Sequence, residues 1–318
     1  MNLRSIALFA LLSTPFGCAF AADPAALETA ADPGALKPGA LDLTQPADNL
    51  TALVKMRCSL DDKENVFTWW KGTIFAHLPE KAPQAILGFE GYNVCRMVRQ
   101  DDGTWQFLSR ELSFYRDLAS GEIIDVWRNP FTDADNQVVQ VANDPVNHVF
   151  SAKTRSGGPN LYPWESKGGD LMLTFNVPLT YPNPLSPEAF PKESSGPMYV
   201  GSEHFMFFTP LAQINDPSIR NASASYGWTR VGPWLPWMKM GTAPGTLLYI
   251  AQGHKIDSLG ELPADMQARI AKDYPIYAQA PDAWTAPNAT SWNVYKALMQ
   301  EPDQAGAPAG AADATPER

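Results

Sequence analysis

The 318-residue chain is poor in the residues that anchor most catalytic motifs, with three cysteines and four histidines in all. His77, His148, His204 and His254 form neither an HxH nor an HExxH pattern, so no local spacing puts two ligands on one metal. A metal site would have to be assembled from distant residues such as Asp144, Glu203 and His204. There is no Gly-x-Ser-x-Gly elbow. Ser156-Gly157-Gly158 and Lys167-Gly168-Gly169 lack the helix that follows a phosphate-cradling loop, which argues against serine hydrolase and nucleotide-dependent chemistry. Neither Cys58 nor Cys95 has the setting of a nucleophile, and no cofactor is expected. Beyond the amino terminus no stretch approaches the roughly 18 uninterrupted apolar residues of a membrane span. A basic stripe with interleaved aromatics is also missing, so nucleic acid is not an expected partner. The net charge of −10 sits mostly at the ends, in the acids of residues 22–49 and 301–318.

What is present begins with a leader. Arg4, an apolar run from Ile6 to Phe16, and Ala19-Phe20-Ala21 read as a signal peptide over 1–21 with cleavage after Ala21. Cys18 offers lipidation as a rival reading, but Pro15-Phe16-Gly17 is a poor lipobox. The mature protein is therefore expected in the periplasm or outside the cell. It keeps Cys58 and Cys95, a pair that an oxidising compartment permits to bridge and that equally suits two buried thiols.

Residues 22–49 and 301–318 are rich in Ala, Pro, Gly and acids, and are expected to be a linker and a tail. Residues 50–300 form the body. A short helix ending at Arg57 is followed by strand-like runs at Val66–His77, 86–98 and 105–115, with Asp102-Gly103 as a hairpin turn. Further runs are expected at 123–128, 138–142, 146–152, 171–178, 198–209, 225–231 and 246–255, and two short helices close the body near Pro263 and Ser291. Short strands without alternating helices predict a mainly β fold: an antiparallel barrel or double sheet, lipocalin-like in architecture, with short C-terminal helices.

Trp69-Trp70-x-Gly72, Gly88-Phe89-Glu90-Gly91-Tyr92-Asn93, Asp125-Val126-Trp127-Arg128-Asn129-Pro130, Asn143-Asp144-Pro145-Val146-Asn147 and Thr229 to Met238 together resemble the bacterial domain-of-unknown-function family 1838. The resemblance runs through nearly the whole body and implies no activity.

Polar groups inside apolar strands are the candidate site, because burial shifts a pKa or demands a partner. The strand containing Glu203 is apolar on both faces and is expected to be covered on both sides. The candidate catalytic residues are His148 oriented by Asp144, Glu203 or Glu90 as its counterpart, and Arg128 or Arg230 to steady negative charge. Trp69, Tyr92, Asn93, Trp127, Tyr181, Trp234 and Trp237 are candidate ligand contacts. The expected function is cofactor-free acid/base chemistry (hydration, elimination, isomerisation or hydrolysis) on an apolar or aromatic small molecule. A carrier with the same cavity and a structural envelope protein are the alternatives. Ligand identity and oligomeric state are not legible.

Overall fold

The computed structural model describes residues 39–300. The leader, most of the expected linker and the expected tail lie outside them. Helix α1 (Pro46–Arg57) opens the body, with proline in its first turn and Leu50, Leu53 and Val54 buried. Leu43 and Asn49 are also buried, so the packed body starts before Leu50.

Twelve strands follow: β1 (Val66–His77), β2 (Gln84–Arg99), β3 (Trp105–Arg116), β4 (Val126–Asn129), β5 (Ala134–Gln137), β6 (Val141–Asn143), β7 (His148–Phe150), β8 (Trp164–Lys167), β9 (Asp170–Pro182), β10 (Met198–Pro210), β11 (Ser225–Gly232) and β12 (Thr246–Ile256). Helix α2 (Leu211–Asn215) follows β10, and α3 (Ala264–Asp273) and α4 (Ser291–Gln300) come last. The fold is mainly β, as expected. Ten strands form one antiparallel sheet in the order β6-β3-β2-β1-β12-β11-β10-β9-β8, with β7 also on β3, while β4 and β5 make a separate ribbon.

The barrel expectation is corrected: among the described residues β6 and β8 are edges, and the sheet does not close through hydrogen bonds. It is rolled nonetheless. Phe150 on β7 meets Phe175 on β9 at 6.0 Å between ring centroids, and Phe89 on β2 stacks on Trp228 of β11 at 6.0 Å across the hollow. Glycine permits the tight roll. A Cβ at Gly72 would collide with the Ile250 carbonyl, and one at Gly253 with the Trp69 carbonyl and the Tyr226 ring.

Because side chains alternate across a strand, the sheet has two different faces. On the convex side Tyr92, Val94, Leu112 and Phe114 are buried under Met266 and Ile270 of α3. The convex side of β10 and its neighbours stays open, with Val200, Met206, Phe208 and Ile250 exposed. The strand of Glu203 is thus covered on one face only, contrary to expectation. A larger core fills the concave side. There the proline-rich loop after β11 is a plug, in which Trp237 packs edge-on against Tyr115 and Trp127 at 5.1 and 5.6 Å.

Cys58 and Cys95 form a disulfide, with Cα atoms 6.2 Å apart, that ties the end of α1 to β2. Lys255 donates to the carbonyls of Lys55, Cys58 and Ala222 and to Asn221 Oδ1, fixing the same corner.

Candidate active site

The concave face encloses a cavity of about 310 Å³. Its apolar wall is a ladder of rings: Phe175, Phe205 and Phe207 lie parallel, with neighbouring centroids 4.7 to 6.0 Å apart. Register sets this directly, since Phe175 faces Phe205 across the β9–β10 ladder and Phe207 is the next inward residue of β10. Trp292 at the start of α4 packs on Tyr199 at 4.6 Å and closes part of the opening. The preceding segment is latched down: Asn147 and Asn288 exchange hydrogen bonds of 2.9 and 2.8 Å, and the Ala289 amide donates to the Pro145 carbonyl at 2.9 Å.

Polar groups sit in this apolar frame in two places. Glu203 faces Arg230 across the β10–β11 ladder, and their side chains meet at 3.5 Å. Trp228 Nε1 also donates to Glu203, at 3.4 Å. Arg230 donates to the Tyr199 hydroxyl and lies over the rings of Tyr249 and Trp292, 4.9 and 5.6 Å from their centroids. Guanidinium and rings hold one another in place. The second place is Glu111 on β3, opposite Asn93 of β2 and Asn143 of β6. Asn143 Nδ2 donates to Glu111 at 3.3 Å, and no cation is within ion-pair distance of Glu111 among the described residues.

The two carboxyls differ accordingly. Burial, reinforced by the negative charge of Glu203, pushes the Glu111 carboxyl up to about 7. Glu203 is also raised by burial, but Arg230 and the Trp228 N–H oppose the rise. The Glu111 midpoint therefore lies near neutrality, whereas Glu203 has a cation beside it that favours its ionised form, and a paired acid and base need such a difference in surroundings. Burial likewise pushes the hydroxyls of Tyr181 and Tyr249 up to about 12, so both are hydrogen-bond donors at neutral pH.

Several wall residues keep unspent hydrogen-bonding capacity. Asn93 Oδ1, Asn143 Oδ1, Tyr249 Oη and Trp292 Nε1 are buried and find no partner among the described residues. Arg57, the last residue of α1, lies 4.5 Å over the Phe107 ring on the cavity wall.

Of the residues singled out from the sequence, the cavity gathers Asn93, His148, Tyr181, Glu203 and Arg230. His148 is an exposed residue at the rim, packed edge-on against Phe150 at 4.6 Å, and burial of its inner side lowers its pKa. Asp144 does not orient it, because Asp144 pairs with Arg110 at 2.9 Å. Glu90 projects to the convex side, where Arg116 holds it at 2.6 Å and Trp69 Nε1 donates to it at 3.1 Å. Tyr92 is on that side too, donating to the Tyr277 carbonyl at 2.9 Å. Arg128 is exposed and pairs with Asp133 and Asp135 on the β4–β5 ribbon. Trp127, Trp234 and Trp237 are core residues outside the cavity wall. Glu111 and Arg57 are the additions. Glu111 shares one face of β3 with Phe107, Ser109, Ser113 and Tyr115, a mixed set that resembles a solvent face, although the aromatics at both ends mark it as inward. Asp144, Glu203 and His204 do not converge on a metal: His204 points outward and is bonded to Asn176 at 2.9 Å. Among the described residues no cluster of three or more His, Cys, Asp or Glu has metal-binding geometry.

No curated protein matches the sequence. The family model described as protein of unknown function (DUF1838) matches residues 63–299, and the chain belongs to that family.

Proposed function

We propose that this DUF1838 member is a cofactor-free acid/base enzyme acting on a small molecule with an apolar, aromatic-compatible body. The observation that carries the reading is the pair Glu111 and Glu203 in one aromatic cavity, one carboxyl without a cation and the other beside Arg230. Glu203 is the base and Glu111 the acid. Removing a proton at one atom of the ligand and delivering one at another is an isomerisation; with a water molecule the same pair carries out hydration or its reverse. Arg230 and the tyrosine hydroxyls stabilise the negative charge that develops when the base acts. Leu173, Phe175 and Phe207 keep that charge in a medium of low dielectric. The disulfide fits work in an oxidising compartment, in keeping with export by the leader over 1–21.

The test is a turnover screen of aromatic and alicyclic enones, hydroxy acids and unsaturated acids followed by NMR in deuterated water. The reading expects deuterium incorporation or product with the native protein, lowered by about 10² or more in Glu111→Gln and Glu203→Gln. Binding without exchange or conversion of any compound would instead support a carrier.

A further inference from the structure

Arg57 is a cation with nothing assigned to it. Arg96, Arg110, Arg116, Arg230 and Arg269 each have a carboxylate within ion-pair distance. Among the described residues the Arg57 guanidinium has none, and it donates no hydrogen bond. A basic residue in the last turn of a helix ordinarily faces that helix's free carbonyls. Here the carbonyls of Lys55 and Cys58 are already taken by Lys255 at 2.7 and 2.6 Å, so helix capping does not account for Arg57. Its backbone is tethered by the disulfide at the next residue, Cys58, and its guanidinium lies over the Phe107 ring at 4.5 Å, on the wall of the cavity.

The charge balance of the cavity points the same way. Glu203 offsets Arg230. Glu111, with its pKa near 7, is largely neutral below that pH, and burial lowers the Arg57 pKa, an effect that Tyr226, Glu111 and Glu203 oppose from beyond ion-pair distance. One positive charge is in excess. Planar, bidentate donors match a carboxylate better than any neutral group.

We propose that Arg57 seats the carboxylate of the ligand, so that the substrates are monocarboxylic acids with a flat apolar body lying along the Phe175–Phe205–Phe207 ladder. This rests on the cavity being the functional site, as above, but not on turnover taking place there. It distinguishes the two ends of the ligand: the acid group at Arg57, the reacting atoms between Glu111 and Glu203.

The probes are 1-naphthoate, 2-naphthoate and trans-cinnamate, each against its primary amide, with affinity read by tryptophan fluorescence and calorimetry at pH 6. At least one acid is expected to bind about tenfold or more tightly than its amide, the scale of a charge-assisted hydrogen-bond pair. Arg57→Met should abolish that preference by weakening acid binding far more than amide binding, and Arg57→Lys should keep part of it. If Arg57→Met does not fold, the Lys variant decides: a preference left undiminished contradicts the bidentate seat. Acids that bind no better than amides, or a preference that survives Arg57→Met, overturn the proposal. Turnover of neutral compounds with no acid preference would sink this inference and leave the acid/base reading standing. Acid binding through Arg57 with no turnover of any acid would do the reverse.

Discussion

Glu203 and Arg230 stand directly opposite each other on adjacent strands, and their charges meet at 3.5 Å on the concave face. The pair is largely removed from water, with side chains 24% and 12% exposed. In such a setting, removing one partner strands the other.

Arg230→Met should therefore lower unfolding free energy by about 3 kcal/mol, the scale for breaking a buried pair. Glu203→Gln, which can still accept from Trp228, should cost clearly less. Urea denaturation of the two variants beside the native protein measures the difference; equal losses would mean that a neutral acceptor at position 203 cannot replace the carboxylate and that Arg230 is stranded as fully as Glu203.

Glu111 makes stability depend on pH. Its folded pKa of about 7 lies above its ordinary value of 4.5, so between those values the folded state binds more protons than the unfolded one. Stability from this group is greatest at or below pH 4.5 and falls as pH rises to 7. The melting temperature of Glu111→Gln should fall less than that of the native protein between pH 5 and pH 8. Arg57, Glu203, Arg230, Asn93 and Asn143 are the charged and polar groups around it, so the comparison is made against Glu203→Gln as well, where the effect should shrink.

Glu90 separates the two faces of the sheet. Its carboxylate is locked between Arg116 and Trp69 on the convex side, and Arg116 also pairs with Asp265 of α3 at 2.6 Å. Glu90→Gln is expected to lose roughly 2 kcal/mol or more of stability, while binding of apolar ligands stays unchanged. A ligand affinity that follows Glu90→Gln would place the site on the wrong face.

The disulfide closes a loop with a sequence separation of 37. The double variant Cys58→Ala/Cys95→Ala should be less stable by about 2–4 kcal/mol. Because Arg57 precedes Cys58, it should also lose preference for carboxylate probes. An unchanged preference would show that the Phe107 ring, with the helix end fixed by the hydrogen bonds of Lys255 to the Lys55 and Cys58 carbonyls, suffices to place the guanidinium.

The sequence shows the fold better than the site, for reasons that particular residues make plain. β1 is legible residue for residue at Val66–His77, since its aromatic and β-branched run ends in clear turn signals. β5 and β8 escape notice because Ala134–Gln137 and Trp164–Lys167 are short and polar. Openness of the sheet is set by which edges pair, and composition carries no trace of that. Within the site, Glu203 and Arg230 stand out as charges among apolar neighbours. Glu90 stands out equally but faces the other way: Phe89 and Tyr92 are both buried, on opposite faces, so alternation cannot assign a side. Glu111 is hidden by the serines beside it, and Arg57 by its ordinary position at a helix end. The tryptophans mark packing more than recognition, as Trp127 and Trp237 show by packing on each other.

The division of roles between the two carboxyls is open to direct titration. Carboxyl-carbon NMR of protein labelled at glutamate, with Glu111→Gln used to assign the resonance, gives the Glu111 pKa without any substrate. A midpoint near 7 in the native protein is predicted, as is a fall towards the ordinary carboxylate range in Glu203→Gln, where the neighbouring negative charge is gone. A Glu111 midpoint near 4.5 in both proteins would contradict the assignment of Glu111 as the acid.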